Sequence, residues 1–163
     1  PDDIAEKIQD VTRRIDKFPT VKTVSKTNLH LNLEFLGERK PQPVIDSLQN
    51  IDFDTFTLKT STYGFFPDKD HIRVVWLGVE ENKMLTKLQE NVSTLTDDDK
   101  QYVPHITIAR IKDITEDQKQ KLLQTLNNNV IQPSTFTVES FKLYESTTTD
   151  IGPIYNVIHS FSS

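Results

Sequence analysis

Two short stretches of the chain carry the same pattern of chemically capable side chains. In NLHLNLEF, residues 28–35, His30 is followed two positions later by Asn32; in VPHITIAR, residues 103–110, His105 is followed two positions later by Thr107. On a strand, positions i and i+2 face the same side. His30 and Asn32 would therefore share one face and His105 and Thr107 another, while Leu31, Leu33, Ile106 and Ile108 point the opposite way, into a core. An imidazole titrates near ~6.5, so a neutral ring and a protonated ring can coexist near neutral pH. Two rings facing each other across a cleft could take a proton from water and give one to a leaving oxygen. A threonine hydroxyl and an asparagine amide can both donate hydrogen bonds to non-bridging oxygens. The set suits a phosphate centre and needs no metal.

Blander readings exist for the same residues. One His-x-Thr on an alternating strand is most often the solvated side of an antiparallel sheet. Two copies in register with a whole-chain duplication weigh against that. Histidine is also a common metal ligand, but Glu34, on the face of His30, is the one candidate third ligand, so no metal site is expected. His71, in a turn after Asp-Lys-Asp, and His159, near the C-terminus, have no counterpart in the repeat and read as structural.

The elements that must position these residues can be read from periodicity. Residues 2–18 place Ile4, Ile8, Val11, Ile15 and Phe18 on one helical stripe, with Asp2, Asp3 and Glu6 in the dipole-favoured first turns and Pro19 as the stop. Residues 28–36 alternate as a strand. Short helical spacing follows at 41–50, a β-like stretch at 56–66 and a near-continuous apolar strand at 72–79. A helix over 80–95 carries Met84, Leu85, Leu88, Val92 and Leu95. Asp97, Asp98 and Asp99 read as a solvated turn. Residues 103–110 form the second histidine strand. Thr115 and Gln118 have capping-box spacing and open a helix to about residue 128. Strands at 136–145 and 154–161 complete the chain. Trp76 and Met84 read as core, and so does Phe35, which lies on the apolar side of its strand.

The order helix, histidine strand, helix, Phe-Thr strand, apolar strand occurs twice. Phe56-Thr57 recurs as Phe136-Thr137, as His30 recurs as His105. The fold class is therefore α+β, a single domain over 1–163 with two pseudo-symmetric lobes built from a duplicated unit, 1–79 and 80–163. The second copy of the first helix follows the apolar strand 72–79, whereas the first copy begins at residue 2. A short strand is thus expected before Pro1, and the sheet edge beside 72–79 is expected to look open without it.

Composition narrows the chemistry further. The 163 residues include no cysteine, which excludes disulfides, thiolate zinc and a cysteine nucleophile. Four scattered glycines cannot form a G-x-G-x-x-G or Walker A loop. A net charge of −5 speaks against a broad DNA-binding surface and leaves room only for a local site. The longest apolar run, 74–79, is far too short to span a bilayer, and the first residues are no signal peptide. A cytoplasmic protein without a membrane role is expected.

The segments NLHLNLEFLGE (28–38) and HITIAR (105–110) resemble the paired signature of the 2H phosphoesterases, in particular the prokaryotic RNA 2′,3′-cyclic phosphodiesterases, historically called 2′-5′ RNA ligases. FFPDKDHIRVVWLGV (65–79) and the SxxxxxGPIY pattern (Ser146, Gly152 to Tyr155) extend the likeness over nearly the whole chain. The resemblance implies antiparallel sheets lining a central cleft with helices outside, a short strand before the first helix, and a monomer. It implies metal- and cofactor-independent opening of an RNA 2′,3′-cyclic phosphate, or of a cyclic nucleotide, to a 2′-phosphate, with a reversible 2′-5′ ligation. His30 and His105 match the catalytic histidines, and the pseudo-symmetry leaves their acid and base roles interchangeable. Thr107 matches the second motif's hydroxyl residue, and Arg110 matches the arginine of HxTxxR. Arg110 lies five residues from His105, so it faces the same side only if a bulge or a strand end intervenes; otherwise it reads as a surface ion-pair residue. Asn32 departs from the Thr or Ser of the first motif. It keeps a phosphate donor but opens the alternative of a non-catalytic binder of phosphorylated RNA ends. Phe35 and Tyr63 are the aromatic candidates for stacking a base.

Overall fold

The apolar stripe at the N-terminus forms α1, Asp2–Ile15, with Ile4, Ile8, Val11 and Ile15 buried along one side. This computed structural model describes residues 1–96, 101–150 and 152–163. Asp97, Asp98 and Asp99, read from sequence as a turn, lie outside the described residues.

The chain is α+β and divides into two compact units, each drawing segments from both sides of residue 80. The first comprises residues 1–31, 59–80 and 104–135; the second comprises 32–58, 81–103 and 136–163. The units are therefore interleaved along the sequence rather than being its two contiguous halves.

In the first unit, β1 (Val21–Thr23), β4 (His105–Ile111), β3 (Ile72–Val79) and β2 (Phe56–Pro67) are neighbours in that order, each pair antiparallel. The first residues of β2 belong to the second unit. β5, Thr135–Val138, follows β2 in the strand order. One face of the first unit's sheet is apolar: Val75, Leu77, Ile106, Ile108 and Ile111 are buried on it. Helix α1 packs with α4, Glu116–Asn127, whose Leu122, Leu123 and Leu126 are also buried. Thr115 and Gln118 form the expected capping box at the start of α4.

The second unit contains α2 (Pro41–Leu48), α3 (Lys83–Ser93) and the hairpin β6 (Ser140–Thr149) with β7 (Gly152–Ser162). Its buried residues include Val44 and Leu48 of α2, Leu85, Leu88 and Val92 of α3, and Phe141 and Phe161, whose rings stack at 4.7 Å. Asn82 caps α3, its side-chain oxygen accepting from the N–H of Met84 and of Leu85.

Several expectations need correction. Residues 28–36 do not form a regular strand. A 3-10 turn occupies Lys26–Asn28, and a single antiparallel bridge, Leu31 to Ile106, is the pairing recorded there. Burial alternates from Leu29 to Leu33 and fails at Glu34 and Phe35, and alternation reports which way side chains point without supplying a hydrogen-bonded partner. The stretch 136–145 is two strands in different sheets, broken at Glu139. The edge beside 72–79 is not open, because β3 lies between β4 and β2. The short strand β1 was not legible as an element.

Candidate active site

The first unit gathers four of the five residues singled out by spacing. His105 opens β4, and Thr107 follows on the same face, both half-buried; Ile106 and Ile108 face the core. The Leu31–Ile106 bridge lays the His30 segment antiparallel to β4. Directly opposed residues of an antiparallel pair share a face, so a register continued from that single bridge would set His30 opposite Thr107. His105 would then be its diagonal neighbour, a relation that spans about 7–8 Å. His30 is exposed and His105 half-buried.

Arg110 reaches the face of His105 and Thr107 through a bulge. Gly78 pairs with His105 and Trp76 with Thr107, but the next pairs are Val75 with Ala109 and Val74 with Arg110. Ile108 is the extra residue, and both it and Ala109 are fully buried. The added residue reverses the alternation, so Arg110 joins the face of His105 and Thr107. Lys22 on β1 stands directly opposite Arg110. The signal was present in the sequence: apolar Ile106 and Ile108 are followed by apolar Ala109 and Ile111, a shift in parity within one strand.

His30 is exposed, and its Nδ1 lies 2.7 Å from the carbonyl oxygen of Asn28. A carbonyl can only accept, so Nδ1 carries the proton, and in the neutral ring the lone pair is on Nε2. Asn32 belongs to the second unit. Its side chain is exposed, and its backbone carbonyl accepts a 3.0 Å hydrogen bond from the Tyr102 hydroxyl. Burial first, and then the charge of Glu34, push the Tyr102 hydroxyl above the usual tyrosine range, which keeps it a donor. Spacing arguments gave no hint of Tyr102, since it lies in neither motif.

The other candidates fall elsewhere. Phe35 is 80% exposed rather than core. Tyr63 donates to the carbonyl oxygen of Asn129 at 2.6 Å, and burial pushes its hydroxyl up to about 12. Glu34 accepts from the Phe35 N–H and from Gln89. No group of three or more His, Asp or Glu side chains is placed to hold a metal among the described residues. His71 sits in a turn where Asp68 accepts the N–H of both Asp70 and His71 at 2.8 Å. The His159 ring packs against Phe161. Met84 is half-buried rather than core. Trp76 is also half-buried, on the histidine side of β3, because even-numbered positions of that strand face away from Val75, Leu77 and Val79.

A family model described as the 2′-5′ RNA ligase superfamily matches residues 1–150. This chain belongs to the 2′-5′ RNA ligase superfamily. Its curated relatives include the RNA 2′,3′-cyclic phosphodiesterase of Methanocaldococcus jannaschii, 34% identical over 164 residues, covering 97% of this chain and 93% of the relative. Another of the same name, from Thermotoga maritima, is 35% identical over 146 residues, covering 83% and 76%. Among solved structures, a protein of Thermus thermophilus matches with a TM-score of 0.78 at 26% identity, covering 99% of this chain and 92% of that one. Escherichia coli LigT complexed with phosphate matches with a TM-score of 0.72 at 25% identity, covering 99% and 91%. The fold is that of the superfamily. No helix among the described residues is long and apolar enough to cross a membrane.

Proposed function

We propose that this protein hydrolyses RNA 2′,3′-cyclic phosphate ends, or the corresponding cyclic nucleotides, to 2′-phosphates without a metal, with His30 and His105 as the acid–base pair. The observation that supports this reading is the Leu31–Ile106 bridge, which brings the His30 segment alongside β4, the strand that His105 opens. The relatives named RNA 2′,3′-cyclic phosphodiesterase support the choice of substrate.

In this reaction one imidazole accepts a proton from water as the water oxygen bonds to phosphorus. The bond from phosphorus to O3′ breaks, and the other imidazole gives its proton to O3′. The product keeps its phosphate on O2′, and the two histidines have exchanged a proton for the next turnover to reset. Ligation would run the same path forwards, with a 5′-hydroxyl in place of water, and cleavage of the 2′-5′ bond back to the cyclic phosphate would be its reverse, with the roles exchanged. Thr107 and Asn32 donate to the non-bridging oxygens, and Arg110 offsets their developing charge. The protein acts as a cytoplasmic monomer, one domain over 1–163 built on the repeat 1–79 and 80–163, and engages one RNA end without a broad nucleic-acid or DNA-binding surface.

The test is hydrolysis of a 2′,3′-cyclic nucleotide in excess EDTA, with the product identified. A 2′-phosphate formed at the metal-replete rate is expected. Loss of turnover in chelator, restored by zinc, would overturn the reading.

Asn32 favours a second reading, a non-catalytic binder of phosphorylated RNA ends, because its amide is bulkier than a hydroxyl at that position. Saturable binding of the cyclic nucleotide with no turnover, and turnover gained in Asn32→Thr, would establish it.

A further inference from the structure

The contact between His105 and two aromatic rings is used by none of the steps above. The Phe66 ring stands edge-on to the imidazole, with centroids 5.0 Å apart and an interplanar angle of 84°. The Trp76 ring lies 5.8 Å from it at 54°, and Phe66 and Trp76 are themselves 5.1 Å apart. The imidazole thus leans into a corner formed by two packed rings.

The indole is held in that corner by missing side chains. Gly64 on β2 pairs directly with Trp76. A Cβ at Gly64 would stand 2.0 Å from Cη2 and from Cζ2 of the indole, so the ring lies across the strand where a side chain would be. Gly78, the direct partner of His105, is similarly filled: a Cβ there would meet Ser61 Oγ at 2.4 Å and Trp76 Cζ3 at 3.2 Å. The indole Nε1 is buried without a hydrogen-bond partner among the described residues. A buried N–H left unpaired is unfavourable, so packing alone would be served better by a wholly apolar ring. What the indole adds is width enough to bridge Gly64 and the imidazole.

We infer that Trp76, backed by Phe66 and seated on Gly64 and Gly78, is a positioning residue that fixes the ring orientation of His105. The inference rests on the acid–base role of His105 given above. A general acid or base must hold its proton within hydrogen-bonding reach of the oxygen it serves, and misplacement by about 1 Å can lower the rate about 10²-fold. Trp76 acts on that alignment and leaves phosphate binding to other groups.

The test compares wild type with Trp76→Leu and Trp76→Phe in two readouts. Steady-state hydrolysis of a 2′,3′-cyclic nucleotide should show kcat at least about tenfold lower in Trp76→Leu with KM within about twofold, and partial rescue in Trp76→Phe. The His105 ring-proton resonances, identified by their loss in His105→Ala, should move in both variants as the ring current and the rotamer change, while those of His159 stay in place. If Trp76→Leu fails to fold, Trp76→Phe carries both readouts. Unmoved His105 resonances, or a change confined to KM, would overturn the positioning role. Wild-type turnover in His105→Ala would instead refute the acid–base reading, so the two failures are distinguishable.

Discussion

Replacing Arg110 by alanine isolates the consequence of the bulge in β4. With unbroken alternation, position 110 would lie on the buried face with Ile106 and Ile108; with the bulge, Arg110 shares the face of His105 and Thr107. Val74 pairs with Arg110 and Gly78 with His105. Four residue steps separate them, about 13 Å along the strand. A guanidinium on its extended stem covers roughly half of that span, enough to reach an oxygen of a phosphate held between the histidines. A hydrogen bond to a charged group is worth about 1.5–3 kcal/mol. Arg110 is exposed, so the lower end applies, and at 1.36 kcal/mol per decade the loss is about 10- to 30-fold. The assay is kcat/KM on a 2′,3′-cyclic nucleotide in chelator. Arg110→Lys should fall between wild type and Arg110→Ala, since it keeps the charge but loses the two-pronged fork. Arg73→Ala is the comparison, because Arg73 donates to the Lys112 carbonyl and lies 3.8 Å from Asp113; it should remain within twofold of wild type. If Arg110→Ala is as active as Arg73→Ala, the bulge turns Arg110 to that face and does nothing for the phosphate.

Two further predictions concern stability. Thr115→Ala removes one half of the α4 capping box, in which the Gln118 N–H donates to Thr115 Oγ1 at 3.3 Å. It should lower stability by about 1 kcal/mol and Tm by about 2–4 °C in thermal unfolding. The Tyr63 hydroxyl stays neutral in the fold up to about 12 against 10.0 unperturbed. Between those values the unfolded chain binds fewer protons, so wild-type stability should fall as pH rises from about 10 to about 12. Tyr63→Phe should flatten part of that decline in urea titrations, the remainder belonging to Tyr102, which shifts in the same direction.

The helices were legible because an apolar stripe at 3.6-residue spacing has one favourable solution, a helix laid on a core. Ile4, Ile8, Val11 and Ile15 needed nothing distant to interpret. The histidine pair was legible as a repeated spacing, His30 with Asn32 and His105 with Thr107, although only the second copy lies on a regular strand. What escaped depends on partners far along the chain. Whether residues 28–36 form a ladder is decided by what lies beside them, and alternation carries no information about that. Phe35 has the parity of a core residue and yet is exposed. Trp76 is an apolar residue in an apolar strand, but two glycines, one of them on another strand, open the histidine side to it. The need for a bulge before Arg110 followed from parity, while its site at Ile108 required the register with β3.

The central claim is that His30 and His105 work as one acid–base pair, and the pH dependence of kcat/KM on a 2′,3′-cyclic nucleotide in chelator tests it most directly. Wild type should give a bell, one limb from each imidazole. His30→Ala and His105→Ala should each lose about 10²- to 10⁴-fold in rate and one limb of the bell. A single-histidine variant that retained wild-type turnover and an intact bell would contradict the account.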